Sequence, residues 1–243
     1  MPDRTLSIVM PAYNEERFIG TLIERIKAVD LRPVGFTPQL IVVDDGSRDR
    51  TAEIVAASPD VQLIRKPNGG KGSAVIAGIQ AASGDYVMIQ DADLEYDPRD
   101  YVPMLEPVAA GRATIVYGSR YLKHPEGGVV RNLVAGRHPQ QSITAYLGGQ
   151  SLSFIALLFT GRYLTDTVTA LKLFPRSLLM ELGLQSPGFE LDHEITAKVL
   201  ARGHSILEVP IRYYPRSRAE GKKIGLRDWF RAIHTFRRHR RGR

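Results

Sequence analysis

Tyr86-Val-Met-Ile-Gln-Asp-Ala-Asp-Leu-Glu-Tyr-Asp-Pro98 reads as a short apolar strand that runs into an acidic turn. Val87, Met88 and Ile89 suit burial in a sheet. Asp91, Asp93 and Glu95 follow within five residues, and Asp97 is placed to cap a helix that Pro98 begins. Carboxylates this crowded repel one another unless a cation lies among them. Hard oxygen donors at this density suit Mg²⁺ or Mn²⁺, which in turn suit phosphate oxygens. Taken alone, the stretch reads equally as a solvated acidic turn with a helix cap.

The same pattern, a strand that ends in a polar turn, recurs on the N-terminal side. Leu6-Ser-Ile-Val-Met10 is a strand stopped by Pro11. A helix is expected from Asn14-Glu-Glu16, with Phe18, Leu22, Ile23 and Ile26 as its apolar stripe. Leu40-Ile-Val-Val43 is a continuous apolar run, as in a buried parallel strand, and ends in Asp44-Asp45-Gly46-Ser47. A helix through Ala57 and a strand from Val61 to Ile64 come next. Pro67-Asn-Gly-Gly70 then turns into a helix over Lys71–Ala82. After the acidic turn a helix over about 98–110 and a strand over Thr114–Tyr117 complete the series.

Strands thus alternate with helices through residues 1–119, over short connections. That predicts an α/β, doubly wound, mostly parallel sheet with helices on both faces. Such sheets bind ligands beyond the carboxyl ends of their strands. The turns at Ala12–Glu16, Asp44–Ser47, Asn68–Lys71 and Asp91–Glu95 are therefore expected along one rim.

The remainder, 120–243, is less regular. Residues 120–141 are rich in Gly, Arg, His and Pro without apolar periodicity. Ser142–Thr160 is a helix apolar almost all round, either packed in the core or lying in a membrane surface. Leu171–Phe174 is a strand, Asp192–Ala201 a helix, Ile206–Ile211 a strand and Leu226–Arg238 an amphipathic helix. His193, amid Glu190, Asp192 and Glu194, is expected to face solvent, and Trp229 and Phe230 are expected as core or interfacial anchors. With no internal repeat or linker, the 243 residues are expected to form one domain.

Composition narrows the classes. With no cysteine there is neither a disulfide framework nor a thiolate metal site. No run offers the roughly 18 uninterrupted apolar residues of a spanning helix, and the first residues lack an apolar leader, so a soluble or peripheral protein is expected. The net charge of +7 is weighted to the end, where Arg237, Arg238, Arg240, Arg241 and Arg243 cluster. A nucleic-acid-binding protein would explain that tail but not the acidic rim, which repels a phosphate backbone. Asn68-Gly-Gly-Lys-Gly72 lacks the spacing of the G-x-x-x-x-G-K-[ST] phosphate loop, and no G-x-G-x-x-G follows the first strand. Amides at a helix N-terminus next to Lys71 nonetheless suit a phosphate. Asp44 can accept hydrogen bonds from a base or ribose, while Asp45 and Ser47 can equally cap the next helix.

Together these segments resemble family 2 glycosyltransferases with the GT-A fold. The resemblance rests on Pro11-Ala-Tyr-Asn-Glu-Glu16, Val43-Asp-Asp-Gly-Ser47, Asn68-Gly-Gly-Lys-Gly72 and Gln90-Asp-Ala-Asp-Leu-Glu-Tyr-Asp-Pro98. Tyr117-Gly-Ser-Arg120, Thr165-Asp166 with Leu171-Lys-Leu-Phe174, Gly188-Phe-Glu-Leu-Asp-His-Glu194, Glu208-Val-Pro-Ile211 and Gly221-Lys-Lys-Ile-Gly225 are similar to the polyprenyl- and dolichyl-phosphate mannosyltransferase-like branch. The resemblance implies an inverting, metal-dependent enzyme that moves a hexose from GDP-mannose or UDP-glucose to a polyprenyl phosphate. Residues 1–119 would be its nucleotide-sugar half, and 120–243 its acceptor half with a basic C-terminal helix. By the same resemblance Asp91 and Asp93, flanking Ala92, hold Mg²⁺ or Mn²⁺ with Glu95 as third ligand, where the mannosyltransferases often carry Gln. Pro11, Ala12, Tyr13, Glu15, Asp44 and Asp45 would line the base and ribose, and Lys71 would approach the ribose or the phosphates.

Charge then dictates the expected mechanism. A phosphate acceptor arrives ionised and needs no base, but it must be drawn in against the donor's charge; Arg120, Arg131 and Arg137 are expected to do that, with Lys222 and Lys223 closing over either phosphate. A soluble hydroxyl acceptor would instead need a base, Asp192 or Glu190. The 142–160 helix and the arginine tail together suit an anionic membrane surface, so a cytoplasmic, peripheral location at the membrane face is expected. The more distant alternative is a basic protein that binds nucleic acid or nucleotide without turnover.

Overall fold

The structure is a computed structural model that describes residues 4–122, 143–215 and 226–239. Its seven strands are β1 (Arg4–Ala12), β2 (Phe36–Asp44), β3 (Val61–Arg65), β4 (Tyr86–Ile89), β5 (Val116–Ser119), β6 (Lys172–Pro175) and β7 (Leu207–Pro210). The helices are α1 (Ile19–Lys27), α2 (Thr51–Ala56), α3 (Lys71–Ala81), α4 (Tyr101–Ala109), α5 (Ile143–Thr160), α6 (Arg176–Glu181), α7 (Leu191–Ala201) and α8 (Leu226–Arg238).

The strands form one seven-stranded sheet in the order β3-β2-β1-β4-β6-β5-β7. β1 pairs in parallel with β2 and β4, β2 with β3, and β5 with β7. β6 alone runs against its neighbours, with Ile89 opposite Lys172 and Tyr86 opposite Pro175. It therefore starts at the rim where the parallel strands end. Period-two alternation in β1 feeds two cores. Leu6, Ile8 and Met10 pack with Ile19, Leu22 and Ile23 of α1 and with Met104 and Leu105 of α4. Val9 faces the other way, with Val75 and Ile79 of α3, Leu178 of α6 and Leu191 and Ile195 of α7. The doubly wound α/β architecture expected from the alternation is the one observed.

Most boundaries shift by one or two residues, and two differ by more. α1 starts at Ile19 rather than at Asn14. The amides of Asn14, Glu15 and Glu16 donate instead to Ser47 Oγ (3.0 Å), Thr51 Oγ1 (2.9 Å) and Asp49 Oδ2 (3.1 Å), and Asn14 takes a left-handed φ of 55°. Side chains of the second turn have taken the donors a helix would have used. β2 begins at Phe36, before the apolar run, because Pro38 lies where β3 does not yet pair and no donor is needed on that side. The cap expected of Asp97 is present: its Oδ1 accepts the Arg99 amide at 3.0 Å ahead of a 3₁₀ turn, Pro98–Asp100, that leads into α4.

The N-terminus of α3 lies directly on the 186–188 loop. A Cβ on Gly72 would stand 2.2 Å from the Ser186 carbonyl and 2.7 Å from that of Gly188. Gly72→Ala is accordingly expected to destabilise the fold by about 1–3 kcal/mol through overpacking, read as a lowered urea midpoint. An unchanged midpoint would mean that the loop moves aside freely.

Candidate active site

The four polar turns do meet along one rim, and they are tied in series. The first joins the second: Asp45 N donates to Ala12 O at 2.9 Å, and Arg48 N to Asn14 Oδ1 at 2.9 Å. Pro11 and Ala12 end β1, with Tyr13 and Glu15 half-buried in the turn that follows. Asp44 is buried, and its Oδ1 accepts the Ser47 amide at 3.0 Å. The second turn joins the third through Asp45, whose carboxylate pairs with Lys66 and accepts the Gly69 and Gly70 amides at 3.0 and 2.8 Å. Asp45 thus braces the glycine loop, and two amides expected to face a phosphate are already engaged.

The third turn joins the fourth through Lys71. Its Nζ lies 2.8 Å from Asp91 Oδ1 and 3.5 Å from Asp192 Oδ2. Lys172, fully buried at the start of β6, pairs with Asp192 Oδ1 at 2.8 Å. Positive and negative charges therefore alternate from the core outward: Lys172, Asp192, Lys71, Asp91. Burial opposes the charge on Lys71, but Asp91 and Asp192 outweigh it and hold the ammonium protonated. Burial alone would raise the Asp192 carboxyl, yet Lys172 and then Lys71 bring it down to about 2. For Asp91, burial prevails over the pull of Lys71, and the like charge of Asp93 adds to the rise. In the sequence Lys172 stands out only as a lone lysine inside an apolar strand, which is the signal that marks a buried ion pair.

The three-carboxylate set expected for a metal is not assembled. Among the described residues no three carboxylate or imidazole groups converge on one point. Glu95 Oε2 accepts the Tyr213 hydroxyl at 3.1 Å, and Asp93 Oδ1 accepts the Glu95 amide at 3.2 Å. Leu94, between these two acids, adopts a left-handed φ of 61° that only a held turn sustains. Asp91 and Asp93, around the buried Ala92, remain two hard donors at a strand end. Mg²⁺ and Mn²⁺ are commonly held by one or two carboxylates completed by substrate phosphates, so the residues present fit a divalent ion without Glu95.

Arg120, expected on a long loop and open to a phosphate, is instead largely covered and paired with Asp166. Its Nε and Nη2 reach the two carboxylate oxygens at 2.6 and 2.7 Å. The guanidinium lies 5.0 Å from the Tyr213 ring centroid, beside the acidic turn. Glu208 in turn fixes Asp166, accepting the Thr165 and Asp166 amides at 2.7 and 2.9 Å. Nothing local in the sequence marks Asp166, Glu208 or Tyr213 as partners of this site. Arg131, Arg137, Lys222 and Lys223 lie outside the described residues.

His193 does not face solvent. It is buried, its ring centroid 5.3 Å from that of Phe236 in α8, and its Nδ1 has no hydrogen-bond partner among the described residues. Burial first, then Lys172, pushes the imidazole down to about 4. The unfolded chain, with an ordinary histidine near 6.5, thus binds a proton that the folded one refuses between those values. Stability is complete above about pH 7 and falls as the pH drops towards 4, by roughly 2 kcal/mol between pH 7 and 5. Urea unfolding of wild type and His193→Leu at both pH values should show this loss in wild type only.

Glu190 precedes α7 and folds back to accept the Gly188 amide at 3.3 Å, while Glu194 pairs with Lys198 and caps Gln185 and Ser186. On the far side, Ser153 and Ala156 of α5 are buried, whereas Leu147, Phe154 and Leu158 are exposed. The helix is both packed and open, one face each. Trp229 anchors α8 to it by donating to Ser151 Oγ at 2.9 Å, with Phe230 exposed beside it.

A strand-end rim carrying an acidic turn, a lysine at a helix N-terminus and a reversed β6 defines a GT-A fold. Solved structures of glucosyl-3-phosphoglycerate synthase from Mycobacterium tuberculosis share it. The complex with uridine diphosphate aligns with a TM-score of 0.69 at 24% identity, covering 97% of this chain and 80% of that one. The complex with Mn²⁺, uridine diphosphate and glucosyl-3-phosphoglycerate aligns with a TM-score of 0.65 at 25% identity over the same shares. The profile of glycosyl transferase family 2 matches residues 7–181, and the chain belongs to that family. A low-salt glycan biosynthesis hexosyltransferase of Haloferax volcanii is 32% identical over 215 residues, 87% of this chain and 48% of the relative. A dolichol-phosphate mannosyltransferase of Pyrococcus furiosus is 31% identical over 236 residues, 96% of this chain and 63% of the relative. The chain therefore spans about half to under two thirds of the length of these curated relatives.

Proposed function

We propose that the protein is an inverting, divalent-metal-dependent glycosyltransferase that moves a hexose, mannose from GDP-mannose or glucose from UDP-glucose, onto a polyprenyl phosphate. The observation that carries the acceptor class is the clamp on Asp192. With one oxygen on Lys172 at 2.8 Å and the other 3.5 Å from Lys71, this carboxylate is held well below the usual range and is a poor proton acceptor near neutral pH, while Glu190, the other candidate base, is folded back onto the Gly188 amide. An acceptor that arrives already ionised needs none. The P. furiosus relative, named for a dolichol phosphate, supports the same class.

In this reading the C1–O bond to the diphosphate breaks with its electron pair on the leaving oxygen. An anionic acceptor oxygen forms the new bond from the opposite face, so C1 inverts and no proton moves. A divalent ion, Mg²⁺ or Mn²⁺, held by Asp91 and Asp93 would supply charge neutralisation to the departing diphosphate. The Pro11–Glu15 turn and Asp44 line the nucleoside end, and Lys71 adds a positive charge beside the phosphates. Arg120 sets the Tyr213–Glu95 side of the pocket.

A second reading, transfer to a hydroxyl of a soluble acceptor, is favoured by the likeness to a synthase solved with a phosphoglycerate product. Radiolabelled GDP-mannose, UDP-glucose and related donors, incubated with Mn²⁺ or Mg²⁺ and a short polyprenyl phosphate, separate the two. Label in the organic phase is expected. Donor consumption only with water-soluble acceptors would overturn the lipid reading.

The same reading places the protein at an anionic membrane face. Leu147, Phe154 and Leu158 of α5 and Phe230 of α8 are exposed, and Phe230 heads a helix face that carries exposed Arg231, His234, Arg237 and Arg238. Apolar and basic groups on two packed helices support interfacial docking. Among the described residues no helix is long and apolar enough to cross a membrane. Co-sedimentation with anionic liposomes at low salt is expected; absence of binding would count against this location.

A further inference from the structure

Lys71 sits where a metal-binding carboxylate should be open. Its Nζ is 2.8 Å from Asp91 Oδ1, and among the described residues it is the ion-pair partner of Asp91. A divalent ion on the same carboxylate would be pressed against an ammonium, a repulsion that a partly enclosed site screens poorly. Either the ion is excluded or Lys71 moves.

The surroundings favour movement of the side chain alone. The backbone of Lys71 is fixed between Gly70 and Gly72, both seated on the 186–188 loop at separations that admit no Cβ. From that fixed point the four-carbon chain can swing. Asp192 lies 3.5 Å away as an alternative partner, and the Phe189 ring centroid is 5.6 Å from the ammonium. Asp192 does not depend on Lys71, because Lys172 already pairs with it at 2.8 Å from the buried side. Departure of Lys71 therefore leaves Asp192 paired and frees Asp91 for the incoming ion. Among the described residues the two acids are unequal in this respect: Asp192 has a second cation, Lys172, and Asp91 has Lys71 alone.

We infer that Lys71 is a place-holding cation: it neutralises Asp91 until a nucleoside diphosphate offers the ammonium a better anion, so that the divalent ion binds together with the nucleotide and only weakly without it. This rests on the reading of the rim as a metal and nucleoside-diphosphate site. Lys172 is the positioning residue behind it, since it keeps Asp192 anionic and within reach of the displaced lysine. The metal would then be drawn to a loaded site and little bound by an idle one.

The test reads metal binding, not turnover. Unbound Mn²⁺ is followed by its electron paramagnetic resonance signal as it is titrated into the protein, alone and with UDP or GDP. Wild type is expected to bind Mn²⁺ weakly alone and strongly with one of the nucleotides. Lys71→Met, or Lys71→Gln should the first fold poorly, is expected to bind Mn²⁺ alone at least about tenfold more tightly, with a smaller gain on adding nucleotide. Lys71→Arg, which keeps a cation in place, should stay close to wild type. Thermal unfolding midpoints near that of wild type verify that the variants are folded. Equal Mn²⁺ affinities of wild type and Lys71→Met without nucleotide would overturn the inference, while a weakened nucleotide-dependent site in Asp91→Asn would leave the metal reading standing. Were Asp91→Asn to bind Mn²⁺ with nucleotide as wild type does, the metal reading would fall and the inference with it.

Discussion

Asp91→Asn is expected to lower kcat/KM for sugar transfer by on the order of 10³, about 4 kcal/mol of transition-state stabilisation. The substitution keeps the shape of the side chain and removes its charge. Lys71 retains Asp192 at 3.5 Å, so the rim has no reason to collapse and the unfolding midpoint should stay near that of wild type. On the proposed mechanism, what is lost is one of two carboxylates that would hold a cation against the leaving diphosphate. Initial rates at saturating metal, with the donor varied, give the number. A loss below tenfold would remove Asp91 from the chemistry and leave it as a partner of Lys71 only.

Asp166→Ala is expected to destabilise the fold by about 3–5 kcal/mol, because it leaves the largely covered guanidinium of Arg120 without its counter-charge. Both oxygens of Asp166 are engaged by Arg120, and its side chain is fully buried. The replacement of both partners should be far milder. Arg120→Met with Asp166→Ala is expected to lose less than the sum of the two single changes, since no unpaired charge remains. Urea unfolding of wild type, the two single variants and the double variant gives the coupling directly. A single-variant loss under about 1 kcal/mol would show that water reaches Arg120 and takes the place of the carboxylate.

Much of this arrangement is legible in the chain. The apolar runs that end at Pro11, Asp44 and Gln90 announce parallel strands, and the polar turns after them have to meet at one rim. Asp97 and Pro98 announce a helix start. What the sequence cannot display is pairing set by distant segments. Lys172 becomes part of the site because β6 enters the sheet in reverse and sets it opposite Ile89. Arg120 looks like a free cation until the Thr165–Asp166 turn, held by Glu208, comes to meet it. His193 lies among acidic neighbours and reads as exposed, but α8 folds over it through Phe236. Asp45 reads as a cap or a ligand, and is spent on bracing a glycine loop whose amides could not be assigned locally. In each case the side chain's chemistry was evident and its partner was not.

The order of strands also governs how the chain emerges during synthesis. Once β5 has left the ribosome, neither strand that pairs with it exists yet, and one edge of β4 is bare, because β6 and β7 are both encoded later. A nascent chain halted there carries unpaired strand edges, the kind that recruit other chains. Truncations after β5 should therefore aggregate rather than yield a soluble folded fragment, and translation through Lys172–Pro175 is the step at which the sheet first becomes continuous across its centre.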